Sequence, residues 1–94
     1  MDGWVLLHRR FLDWEWWDKA EMVQVFLYLL LNANHADQKW RGVRVKRGQL
    51  VTSVAKIASD TGLSTQTVRT CLKRLKSTSE ITSKSTSAYT IVTI

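Results

Sequence analysis

Proline is absent from the 94 residues, glycine occurs four times and cysteine once. The missing proline and scarce glycine leave no linker of the stiff or flexible kind between domains. The single Cys71 excludes an internal disulfide and suits a reducing cytoplasm, the expected location. The longest apolar run, residues 25–31, is seven long, well short of the ~20 needed to span a bilayer. The apolar stretch at 4–7 is too short for a signal peptide, and Arg9 and Arg10 follow it instead of preceding it. No membrane partner is therefore expected. His8 and His35 stand apart from any carboxylate pair or cysteine at ligand spacing, and there is no glycine-rich phosphate loop. These absences predict a non-enzyme with no catalytic residue, metal, cofactor or small-molecule substrate.

Acidic residues are scarce in one part of the chain only. The whole carries 14 Lys and Arg against 8 Asp and Glu, a net +6. Residues 1–37 hold Arg9, Arg10 and Lys19 against Asp2, Asp13, Glu15, Asp18, Glu21 and Asp37: three against six, or −3. Residues 38–94 hold the other eleven cations against Asp60 and Glu80, or +9. Such a segment can neutralise phosphates and release their counterions, whereas charge that serves solubility alone need not be so divided.

What is present within the basic part has the pattern of a helix-turn-helix over 57–75. Ala58 is small where two helices must touch, Gly62 can take the positive φ of a tight turn, and Leu63 and Val68 can fill the space between. Val68, Cys71, Leu72 and Leu75 fall at i, i+3, i+4 and i+7, a buried stripe that makes Cys71 core and not a nucleophile. Ser64 is the expected N-cap, with no capping box because Thr67 stands three residues on. At about 100° per residue, Gln66, Arg69, Thr70 and Lys73 point away from that stripe, the face a recognition helix turns to a major groove.

The remaining pattern surrounds this motif. Trp4, Leu7 and Phe11 are spaced for a short helix interrupted near Trp14. A stronger helix runs over 19–34, with Met22, Val23, Phe26, Leu27, Leu30 and Leu31 at helical spacing and Leu29 widening the face beyond what one small core can cover. Val43 and Val45 alternate with Arg44 and Lys46 as a strand, and Arg47-Gly48 turns the chain toward Leu50 and Val51. Ile81 to Lys84 and Tyr89 to Ile94 are β-prone runs joined by Ser85-Thr86-Ser87-Ala88. The predicted class is α+β: a winged helix-turn-helix with an N-terminal helical extension and a small antiparallel wing. One domain spans 1–94, with 1–37 helical, acidic and Trp-rich and 38–94 basic. At 45 % hydrophobic content a chain of this size supports a single core.

Double-stranded DNA is the partner this pattern points to, through a recognition helix over 64–76 and a wing over 81–94. The expected contacts are Lys56, Ser64, Thr65, Gln66, Arg69, Thr70, Lys73 and Arg74, with Lys84, Ser85 and Thr86 from the wing. The tryptophans suit another surface. Asp13, Glu15 and Asp18 interleave Trp14, Trp16 and Trp17 and would repel the phosphates of a stacked single strand. Core packing takes at least one of them, and an oligomer interface built from Trp4, Trp14, Trp16 and Trp17 suits the rest, making a homo-oligomer the expected assembly.

Several stretches in order, 3–9, 12–16, 30–35, Trp40-Arg41-Gly42, 47–53 and 61–64, resemble the amino-terminal domain of phage and prophage replisome organisers, relatives of the DnaD replication-initiation protein. The resemblance implies a winged helix, origin-DNA binding in replication initiation, self-association and contact with other replisome proteins. A second helical domain that helps recruit the helicase in that family has no counterpart in this sequence, so helicase recruitment is not carried over. Ser79 departs from the glycine usual before the Glu80-Ile81 pair, and serine is the poorer residue if that position closes the helix in a left-handed conformation. The same fold also serves transcriptional regulators and protein-interaction modules without DNA, the two alternative readings.

Overall fold

The computed structural model describes residues 3–86 and 89–94; Ser87 and Ala88 of the expected wing turn and Asp2 of the acidic segment lie outside the described residues. A 3₁₀ turn, Arg9–Asp13, leads into α1 (Ala20–Asn32), followed by strands β1 (Gln38–Trp40), β2 (Val43–Val45) and β3 (Gln49–Thr52). Helices α2 (Val54–Thr61) and α3 (Thr65–Ser77) come next, then β4 (Thr82–Ser85) and β5 (Thr90–Thr93). The molecule is a small α+β structure with two antiparallel sheets among the described residues, β1-β2 and β3-β5-β4.

The boundaries of α2 and the start of α3 have local causes. Ser53 caps α2 by accepting the Lys56 N–H at 3.1 Å. Gly62 ends α2 with φ 77°, a left-handed conformation in which a side chain would be strained. Ser64 then caps α3, accepting the Thr67 N–H at 3.1 Å and donating its own proton to Thr67 Oγ1 at 2.9 Å. Both termini of the turn are thereby supplied with partners that their backbone N–H groups would otherwise lack.

The core lies between the three helices and the inner face of the second sheet. Met22, Val25 and Leu29 from α1 meet Ile57 and Ala58 from α2, and Val68, Cys71 and Leu75 from α3, with Leu50, Ile81 and Val92 closing the sheet side. Register explains the last of these, since Val92 of the central strand β5 stands opposite Leu50 on one side and Ser83 on the other. Leu63 and Leu72 pack on the margin of this core; Leu72, expected within the buried stripe of α3, is only half-buried.

Two elements differ from expectation. Trp4 and Leu7 belong to no helix. Residues 3–8 are irregular, Trp4 is 95 % exposed, and only the turn at Arg9–Asp13 forms, capped by His8 Nδ1 accepting the Arg10 N–H. A few helical residues with no surface to pack against cannot offset the entropy of helix initiation. The α1 stripe is also rotated from the one expected. Met22, Val25, Phe26 and Leu29 face the core, Val23, Leu27 and Leu30 are half-buried, and Leu31 is 53 % exposed. Leu29, expected to exceed the reach of the core, is fully buried. Apolar residues surround so much of α1 that periodicity leaves its phase undetermined, and the position of α3 sets it. Strand β1, which completes a hairpin with β2, is an addition to the expected elements.

Candidate nucleic-acid interface

The outward face of α3 arises from the same spacing that buries its stripe. With Val68, Cys71 and Leu75 turned inward, Gln66, Arg69, Thr70, Lys73, Arg74 and Ser77 line one continuous open concavity on the opposite side. Around the helix, Arg69, Lys73 and Lys76 also border a groove of about 320 Å³ shared with Ser83, Ser85 and Thr90 of the β4–β5 hairpin and with Ser53 at the start of α2. The groove's lining combines the α3 cations and the hairpin hydroxyls with the apolar Val54, Ile57, Leu72 and Val92. Among the described residues, the ion pairs are Arg44–Asp37 and Lys56–Asp60, so Arg69, Lys73 and Lys76 have no acidic partner.

The expected contact residues are not all brought together. Gln66, Arg69, Thr70 and Lys73 share the outward face, although the Thr70 hydroxyl bonds back to the Gln66 carbonyl at 3.1 Å. Thr65 is exposed at the first turn, and Ser64 beside it has its hydroxyl committed to the cap. Arg74 lies at one edge, its guanidinium 5.6 Å from the centre of the Trp16 ring. Lys56 is on α2, paired with Asp60 at 3.3 Å but largely exposed. Ser85 faces the groove across from Thr90, and Thr86 follows it, its N–H donating to the Tyr89 carbonyl at 2.8 Å. Lys84 sits opposite Ile91, one residue out of phase with Ser83 and Ser85, and so occupies the other face of the hairpin. Lys76 was missed. Its signal is the spacing from Arg69 and Lys73, at i+7 and i+3, which continues the cationic edge into the last turn.

The four tryptophans assigned to an interface divide into two pairs. Trp14 and Trp16 are half-buried against the core. The Trp14 indole N–H donates to Glu80 Oε1 at 2.8 Å and the Trp16 N–H to Thr78 Oγ1 at 3.2 Å, while the Thr78 hydroxyl itself donates to the Glu80 carboxylate. Both therefore bind the N-terminal segment to the end of α3. Trp4 is almost wholly exposed, and Trp17 is 44 % exposed with one edge on the Phe11 ring.

Three titratable groups of the helices are shifted by identifiable contacts. Tyr28 donates to Asp60 at 2.6 Å, and its pKa rises from 10 to about 12 through burial first and then through the bond to and charge of Asp60. The same bond, followed by that to Lys56, holds Asp60 below the usual carboxylate range. Burial pushes the Cys71 thiol up, in keeping with its place in the core.

Compared with known proteins, the chain matches over residues 21–93 the family model of the Firmicute plasmid replication protein, RepL. The matched span runs from the first turn of α1 to the end of β5. No curated protein and no solved structure matches the chain. The match is thus to a plasmid replication family, where the sequence motifs resemble phage replisome organisers of the DnaD kind. The chain belongs to the family of Firmicute plasmid replication proteins, RepL.

Proposed function

We propose that this chain binds duplex DNA in the initiation of plasmid replication, as a winged helix that sets α3 in the major groove. The order α1, β3, α2, α3, β4, β5, with β5 central in its sheet, supports the winged-helix assignment. The observation that carries the reading is the outward face of α3. Gln66, Arg69, Lys73 and Lys76 project from one side of a helix whose other side is core, and among the described residues no acid pairs with the three cations. Gln66 can pair bidentately with adenine and Arg69 with guanine, while the lysines suit phosphates. Membership of a plasmid replication family supports a role in replication over one in transcriptional regulation. A kinship with DnaD-type organisers rests on motifs that in part precede the matched span.

Fluorescence anisotropy with a labelled duplex tests the reading. About three to five phosphate contacts per chain give a log-log salt slope of roughly −3 to −5. Arg69→Ala is expected to relax preference by about 1–3 kcal/mol at one base pair, and Lys73→Ala to weaken all sequences alike. A flat salt response in the parent chain would remove the DNA-binding reading.

A further inference from the structure

The β1–β2 hairpin lies outside the α3 groove, and three features of it are unexplained by the fold. Its two-residue turn, Arg41-Gly42, has φ of 48° and 78°, both left-handed. Turns of that kind favour asparagine, aspartate or glycine at the first position, and arginine is strained there. The register sets Lys39 directly opposite Arg44, and like charges across a strand pair oppose its formation. Both side chains are on the exposed face, since Val45, two positions from Val43 on the other face, is buried. Asp37 answers Arg44 at 2.8 Å, but among the described residues no acid is in ion-pair range of Lys39 or Arg41.

The third feature gives the hairpin its place. Trp40 meets the Tyr89 ring edge-on at 5.0 Å, and the Arg41 guanidinium lies 5.0 Å from the Trp40 ring centre. Tyr89 directly precedes β5 in the connection from β4, so the hairpin is fixed against the turn end of the β4–β5 hairpin, next to the Ser85–Thr90 pair that borders the α3 groove. Solubility would be served equally by an asparagine turn and by cations spread apart. A strained arginine and two facing cations are disfavoured in the free protein and favoured when a polyanion lies against them.

We propose that the β1–β2 hairpin is a second DNA contact, which lays Lys39, Arg41 and Arg44 along the phosphate backbone on the β4–β5 side of the α3 footprint. The contact is to phosphate and carries no sequence preference. It rests on the reading that α3 binds duplex DNA, and the test separates the two.

Lys39→Thr with Arg41→Asn puts a strand-favouring residue and a turn-favouring residue in place of the two cations that have no acidic partner among the described residues; relief of the facing charges and of the turn strain offsets the lost contact of Arg41 with Trp40, so the hairpin is retained. The variant is expected to melt no lower than the parent. Its log-log salt slope in an anisotropy titration is expected to be shallower by roughly 1.8, the loss of two phosphate contacts, with affinity lowered equally for all duplexes. Unchanged slope and affinity, while Lys73→Ala still weakens binding, would overturn the hairpin contact and leave the α3 reading standing. A lower melting temperature in the variant would also overturn it, because Lys39 and Arg41 would then be serving the fold. Absence of salt-dependent binding by the parent chain would remove both readings together.

Discussion

Ser79 sits in the left-handed region with φ 64°, where glycine alone is free of strain. Its N–H donates to the Lys76 carbonyl and that of Glu80 to the Leu75 carbonyl, the pair of bonds that closes a helix through a left-handed residue. Serine pays a steric penalty there in the folded state, so Ser79→Gly is expected to stabilise the protein by about 0.5–1 kcal/mol in urea unfolding, the gain being reduced by glycine's greater freedom in the unfolded chain. A loss of stability would show that the serine side chain contributes a contact outweighing its strain. The position was legible through the resemblance to replisome organisers, in which glycine is usual before the Glu80-Ile81 pair. Tyr28 was not legible, since its partner Asp60 is 32 residues away. The folded Tyr28 keeps its proton to about pH 12 while the unfolded one loses it near 10. Its contribution to stability is therefore complete below pH 10 and lost as pH rises toward 12. Thermal melts across that range are expected to fall more steeply in the parent than in Tyr28→Phe. Asp60 has the opposite dependence: its lowered pKa gives stability above the usual carboxylate range that is lost as pH falls through the folded value.

At the scale of elements, α3 and α1 show what a periodic pattern can determine. The polar face of α3 is separated cleanly from Val68, Cys71 and Leu75, so both faces follow from spacing. In α1 almost every position after Glu21 is apolar, and only packing selects Met22, Val25 and Leu29. The hairpin partner of β2 was missed because Gln38-Lys39-Trp40 has no alternation of its own, while Arg41-Gly42 lacks the asparagine or aspartate that usually announces such a turn. Trp14 and Trp16 are the clearest case of long-range order, since their partners Thr78 and Glu80 lie more than sixty residues away. Trp14→Phe keeps the ring against Phe11 and Phe26 but leaves Glu80 without the indole donor. A loss of about 1 kcal/mol is expected by chemical denaturation. An unchanged midpoint would mean that water replaces the indole at no cost.

Across the whole molecule, the charge division along the sequence corresponds to a division of surfaces. The acidic N-terminal segment surrounds Trp14 and Trp16 as they bind the end of α3, and most cations of residues 38–94 are on α3 and the two hairpins, with Lys46 and Arg47 between β2 and β3 and Lys56 on α2. Self-association, where it occurs, has Trp4 and Trp17 available to it. Trp17→Ser is expected to lower the mass seen by sedimentation equilibrium, while Trp16→Ser lowers stability instead. A fall in mass without destabilisation in Trp16→Ser would return that residue to the interface. The central claim, that α3 presents its outward face to duplex DNA, is tested most directly by mapping amide chemical shifts in a ¹⁵N-labelled chain as duplex is added. The account predicts that the largest changes fall at Thr65–Ser77 and at the hairpin residues 39–44, with little change along the Met22, Val25 and Leu29 side of α1. Changes concentrated on the acidic segment before α1, with α3 unmoved, would contradict it.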